Sequence, residues 1–236
     1  EDRRRAYLGL CSREERARYD RIRHEETRNH HLLTRALVRT TLSRYADRSP
    51  TAWRFVENAH GCPFIASDQN PDGLHFNVSH TEGLVVCGVT RGRALGVDVE
   101  YEPRKSGITK IADRFFAPPE VAALKRLPDA EHRARFFTYW TLKEAYIKAR
   151  GMGLAIPLSA FWFDVDRPGE IHFNTAESLS DPADRWSFRT LRSGSDHPIA
   201  LALSAAPAAE ITLRAFCVVP MGDTQEVSLE TLARSW

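Results

Sequence analysis

One order of elements occurs twice in this chain, a long helical pattern followed by strands. In the first half, Leu32, Leu33, Ala36, Leu37 and Leu42 recur at helical spacing within residues 25–45. Extended runs follow at 53–56 and 84–89. In the second half, Phe136, Phe137, Trp140, Leu142, Ala145 and Ile147 mark a helix over 131–150, with Gly151 and Gly153 as stop signals. Strands follow at 161–165 and 199–203. The halves share no visible identity, so the repetition is one of pattern. It predicts an α+β fold of two similar subdomains related by a pseudo-two-fold axis. Each would pack an antiparallel sheet on its long helix and leave a ligand cleft at the junction. The boundary falls near residue 93, giving subdomains 1–93 and 94–236, and a chain built from two halves is expected to be monomeric.

Smaller signals fill in the order. Ser12 followed by Glu14 and Glu15 reads as a helix cap with acids in the first turn. Residues 75–80 alternate as a strand, and 84–89 read as a buried strand. Short helices are expected around Ile111, Phe115 and Phe116, and from Pro118 to Leu127. A polar loop is expected over 101–107, and further strands at 171–173, 186–188 and 211–219. Arg28, Arg35 and Arg39 are expected on the solvated face of the first long helix. His30 and His31 point in different directions there, which argues against a metal site between them.

Composition narrows the function classes. No apolar run reaches the roughly 20 residues that span a membrane, and Glu1-Asp2-Arg3-Arg4-Arg5 has no signal-peptide character. The missing initiator Met suggests a start inside the natural reading frame. Four cysteines, Cys11, Cys62, Cys87 and Cys217, form no CxxC pair, so reduced thiols in a cytoplasmic protein are expected, without zinc. Net charge is +2, yet residues 1–50 hold 13 Arg against 8 acids. That basic front end suits an anionic ligand or an acidic partner protein. Without a Lys/Arg run or interleaved aromatics, nucleic-acid binding is not expected.

Chemistry concentrates in Gly96-Val97-Asp98-Val99-Glu100. The alternation is that of a half-buried strand, so Asp98 and Glu100 leave on one face. Two adjacent carboxylates repel, and a cation between them relieves the repulsion; oxygen ligands alone favour Mg²⁺ or Mn²⁺. The alternative is a solvated acidic face on an edge strand. Trp140, Glu144 and Lys148, four residues apart, form one stripe of the second long helix. A surface Glu–Lys pair would contribute only about 0.2–0.5 kcal/mol; the Trp in the stripe favours a buried role. His80, where a strand ends, reads on its own as a local hydrogen-bonding residue.

Asn77-Val78-Ser79-His80, Gly96-Val97-Asp98-Val99-Glu100 and the run Phe137-Thr138-Tyr139-Trp140-Thr141-Leu142-Lys143-Glu144-Ala145-Tyr146-Ile147-Lys148 come in a family order and spacing. In these motifs the chain resembles the Sfp-type 4′-phosphopantetheinyl transferases, from about Ser12 to about Ala205. Arg114-Phe115-Phe116 and Gly151-Met152-Gly153-Leu154 also fit. The resemblance implies transfer of the phosphopantetheine arm of coenzyme A to a serine of an apo acyl or peptidyl carrier protein, with release of adenosine 3′,5′-bisphosphate. It implies Asp98, Glu100 and Glu144 as Mg²⁺ ligands, and Ser79 and His80 as contacts to the coenzyme A phosphates. Lys148 would lie near the pyrophosphate, and Glu144 and Lys148 would be catalytic. Where the family often has Gly-Lys-Pro this chain has Gly61-Cys62-Pro63, which removes a cation; Arg18, His30 or His31 could replace it. Two other readings are a non-catalytic module binding coenzyme A or a carrier protein, and a Mg²⁺-dependent nucleotide pyrophosphate hydrolase.

Overall fold

The computed structural model describes residues 2–104, 107–206 and 209–235 and shows a mixed helix and sheet fold. Helix α1 (Asp2–Leu10), which the sequence pattern does not anticipate, packs through Tyr7 and Leu8 on Cys11, Tyr19 and Leu32. Helix α2 (Arg13–Arg21) starts at the expected cap. Ser12 Oγ accepts the Glu15 N–H at 3.2 Å, and Glu15 Oε2 accepts the Ser12 N–H at 2.8 Å. Helix α3 (Glu25–Leu42) stops three residues before Tyr45. Its Val38 and Leu42 join Trp53, Ile65, Leu74 and Phe76 in one core.

Arg39 corrects the expectation of a solvated face. It is buried, pairs with Glu15 Oε2 at 2.8 Å, and donates to the carbonyls of Pro50 (2.9 Å) and Trp53 (3.0 Å). A buried guanidinium needs such partners, and it staples α3 to α2 and to the loop ahead of the first strand. That strand, β1 (Phe55–Glu57), pairs antiparallel with β2 (Pro63–Ile65). The longer hairpin of β3 (Leu74–Thr81) and β4 (Leu84–Arg91) follows. Strand β4 is half-buried from Leu84 to Thr90 rather than fully buried, because β3 is its hydrogen-bonded neighbour on one side only.

Strand β5 (Leu95–Val99) joins this part to the rest. It pairs antiparallel with β9 (His197–Leu203), at one edge of a four-stranded sheet that continues through β8 (Ser187–Ser193) to β12 (Glu230–Arg234). Toward β3, Asn77 Oδ1 accepts the Val97 N–H at 2.9 Å. Helix α6 (Asp129–Ala149) crosses β5 at Gly96. A Cβ there would lie 1.9 Å from the Ala145 carbonyl oxygen and 2.5 Å from the Ala149 nitrogen. Only glycine allows that approach.

The core under α6 holds Phe136, Phe137, Leu142, Tyr146, Phe161, Phe163 and Phe188. Lys143, fully buried, pairs with Glu120 Oε2 at 2.8 Å and donates to the carbonyls of Leu158 and Phe161 at 2.7 Å. Helices α4 (Ile108–Phe115) and α5 (Pro118–Arg126), the hairpin of β6 (Phe161–Asp164) and β7 (His172–Thr175), and the hairpin of β10 (Ala215–Val218) and β11 (Thr224–Val227) complete the fold. Of the polar loop expected over 101–107, residues 105 and 106 lie outside the described residues. All four cysteines are free. Among the described residues no helix is long and apolar enough to cross a membrane.

Candidate active site

Because β3 lies beside β5 and α6 crosses it, Ser79, Asp98 and Lys148 meet. Ser79 Oγ donates to Asp98 Oδ1 at 2.8 Å. Lys148 Nζ donates to the same oxygen at 2.6 Å, to Ser79 Oγ at 2.9 Å and to the Val97 carbonyl at 3.3 Å. The ammonium thereby bridges strand and helix. Asp98 Oδ2 is buried with no hydrogen-bond partner. Burial pushes the Asp98 carboxyl above its ordinary value against the pull of Lys148.

Two residues on, Glu100 faces the same side. Its Oε1 accepts the Trp140 indole N–H at 2.9 Å, and its Oε2 pairs with Arg104 at 3.2 Å. Trp140 thus orients a carboxylate. The Glu100 carboxyl is raised by burial and then by Asp98. Glu144 is pushed up to about 7 by burial and then by Asp98, with a smaller contribution from Glu100. The three carboxylates therefore share one electrostatic environment.

Among the described residues no three His, Cys, Asp or Glu side chains close into a metal-holding group as they stand. The donor chemistry still fits a hard divalent cation. The candidate ligands are all carboxylate oxygens, one of them is buried and unpartnered, and each carboxyl is raised first by burial, Glu100 and Glu144 also by the charge of Asp98.

A pocket of about 490 Å³ opens over Asp98 and Glu100, lined by Ser79, His80, Arg104, Lys148 and His30 among others, with Glu144 outside its lining. His80 and His30 meet edge to face, ring centroids 5.4 Å apart. Burial, then His30 and Lys148, hold the His80 imidazole below its ordinary value. His31, one residue along α3, turns about 100° away and lies in the field of Arg35, Arg18 and Glu15, where burial lowers its imidazole. So His30, not His31 or Arg18, lines this pocket. Arg104 is the lining cation that motif reading misses, because it sits in the loop after β5, where no period marks it. A larger cavity of about 790 Å³ around His172, Trp186 and Arg234 contains none of these residues.

Residues 94–202 match the model of the 4′-phosphopantetheinyl transferase superfamily. The chain is 38% identical over 144 residues to 4′-phosphopantetheinyl transferase HetI of Nostoc, covering 61% of each chain. It is 31% identical over 174 residues to 4′-phosphopantetheinyl transferase Sfp of Bacillus subtilis, covering 74% of this chain and 75% of that one. With 4′-phosphopantetheinyl transferase gsp of Aneurinibacillus migulanus it shares 40% identity over 111 residues, 47% of this chain and 43% of the relative. The chain thus spans about three fifths of the length of HetI.

Proposed function

From the chain's membership of the 4′-phosphopantetheinyl transferase superfamily, we propose that it moves the 4′-phosphopantetheine group of coenzyme A onto a serine hydroxyl of an apo acyl or peptidyl carrier protein. The observation that carries this reading is the convergence of Ser79, Asp98 and Lys148 beneath one pocket, with Glu100 and Glu144 in the same field. We read the fold as two subdomains, 1–93 and 94–236, meeting where Asn77 of β3 bonds Val97 of β5. The reading is of a monomeric, cytoplasmic enzyme that needs neither nucleic acid nor membrane.

Asp98, through its unpartnered Oδ2, with Glu100 and Glu144 would hold Mg²⁺ or Mn²⁺. When bound, such a cation supplies positive charge against the negative charge that develops on the pyrophosphate. The serine oxygen of the carrier attacks the phosphorus nearer the pantetheine, and the bridging P–O bond breaks. Adenosine 3′,5′-bisphosphate leaves with the bond electrons. Glu144 takes the serine proton. Lys148, one helical turn from Glu144 and lining the same pocket as Asp98, would stabilise the charge on the leaving phosphate. Ser79, His80 and His30 contact the coenzyme A phosphates; Arg18 and His31 belong to the basic ground behind them.

The test is intact-protein mass spectrometry of apo carriers incubated with coenzyme A and Mg²⁺. The expected result is a mass gain of one phosphopantetheine that disappears with chelator. Release of adenosine bisphosphate without a carrier would mark a hydrolase instead, and calorimetric binding of coenzyme A without transfer would mark a binding module.

A further inference from the structure

Among the described residues the permanent cations lining the pocket are Lys148 and Arg104, and they are held differently. Lys148 sits in a closed network: Asp98, Ser79 and a main-chain carbonyl all take its protons, and its side chain is 26% exposed. Arg104 pairs with Glu100 Oε2 at 3.2 Å with its side chain 51% exposed. Glu100 itself is not free to follow it. Its other oxygen is fixed by Trp140, which stacks on Phe136 with ring centroids 6.0 Å apart.

The backbone that carries Arg104 is also anchored. Arg133 donates to the carbonyl oxygens of Glu102, at 2.5 Å, and of Arg104. The Glu102 N–H donates to the Asp196 carbonyl at 2.9 Å, and the Glu102 carboxylate pairs with Arg192 at 3.0 Å. An anchored backbone, a half-exposed guanidinium and a carboxylate with one oxygen pinned make an exchangeable counter-charge. The guanidinium is half-exposed and so only loosely held, while the Glu100 side chain, 12% exposed, needs another cation once it leaves. What it leaves is a carboxylate that lines the pocket.

We propose that Arg104 is the stand-in cation for Glu100, exchanged for a divalent cation and then turned to an anionic oxygen of the phosphate-bearing substrate in the same pocket. It rests on the transferase reading above. Arg104 is then a substrate-binding residue that also sets metal affinity from the opposite direction: it competes for Glu100 with the ion and favours the anion that arrives beside it. Its planar fork suits both carboxylate and phosphate oxygens.

The two roles have opposite signs, and that makes the test specific. Mn²⁺ alone, and in a separate series coenzyme A alone, is titrated calorimetrically into the wild-type protein and into the Arg104→Gln and Arg104→Lys variants; melting without ligand verifies folding. Removing the competitor in Arg104→Gln is expected to tighten Mn²⁺ binding about two- to fivefold and to weaken coenzyme A binding by at least as much, with Arg104→Lys intermediate in both. Mn²⁺ affinity unchanged or weakened in Arg104→Gln overturns the exchange. So does unchanged coenzyme A binding. A wild-type protein that binds no Mn²⁺ would instead remove the metal site on which the transferase mechanism stands. Transfer to a carrier, assayed on the wild type, separates failure of the exchange from failure of the activity.

Discussion

Glu144 keeps its proton close to neutrality because burial and the carboxylates of Asp98 and Glu100 all disfavour its anion. The consequence for stability has a definite sign. Its folded value, about 7, lies above the ordinary 4.5. Between those pH values the folded state binds a proton that the unfolded chain has lost, so stability falls as pH rises through the window. Glu144→Gln removes this loss. Without divalent cations the variant should be about 1–3 kcal/mol more stable than wild type at pH 8, with the gap closing toward pH 4.5; melting curves across that range measure it. The same substitution should lower transfer by about 10²–10⁴-fold if the side chain is the base. Equal turnover in a folded variant would remove that role. Periods of two and of four place Asp98 with Glu100 on one strand face and Glu144 with Lys148 on one helix stripe, whereas Ser79 and His80 were singled out only by the family resemblance of their motif. Arg104 and the choice of His30 over His31 were not legible in the sequence. A loop has no period, and neighbouring helix residues differ by a rotation that only the packing of α3 resolves.

At the scale of elements, the site exists because α6 lies against β5, and that contact is set by the one position where β5 has no side chain. Gly96→Ala would put a Cβ 1.9 Å from the Ala145 carbonyl oxygen. Backbone cannot step aside as a side-chain end can, so the cost falls at or above the about 1–3 kcal/mol typical of overpacking. For a chain of this size that lowers the melting temperature by at least about 2–10 °C. A variant that melts like the wild type would mean that α6 shifts freely on the sheet. The elements that periodicity specifies strongly, α3, α6, β3 and β9, were anticipated within a few residues, and the start of α2 from its cap. The misses have physical causes. Helix α1 is mostly polar and buries only Leu10. Strand β12 is an edge strand, half-buried only at Ala233, so its sequence carries little apolar alternation; its place comes from pairing with β8 far along the chain.

For the whole molecule, the question is what keeps the part before β5 in register with α6, which carries Glu144 and Lys148. The β3–β5 junction is one tie. A second comes from the turn between β1 and β2. Asn58 Oδ1 accepts the N–H groups of His60 (2.9 Å) and Cys62 (3.0 Å), which closes the turn on itself. Its Nδ2 donates at 2.6 Å to the carbonyl of Gly151, just beyond the end of α6. Gly151 has φ +62°, and a Cβ there would meet Asn58 Nδ2 at 3.2 Å and Cys62 Sγ at 3.6 Å. The position therefore demands glycine for its backbone and is crowded as well. Cys62 packs against this bridge and has its thiol pushed up by burial. Asn58→Ala breaks the turn and the bridge together and should cost about 1–2 kcal/mol. Hydrogen exchange reads the coupling directly. Protection should fall in parallel at 58–62 and at the last turn of α6, around Lys148 to Gly151, with coenzyme A binding weakened. Loss of protection confined to the turn, with the helix end unchanged, would show that the β3–β5 junction alone sets the register of the site.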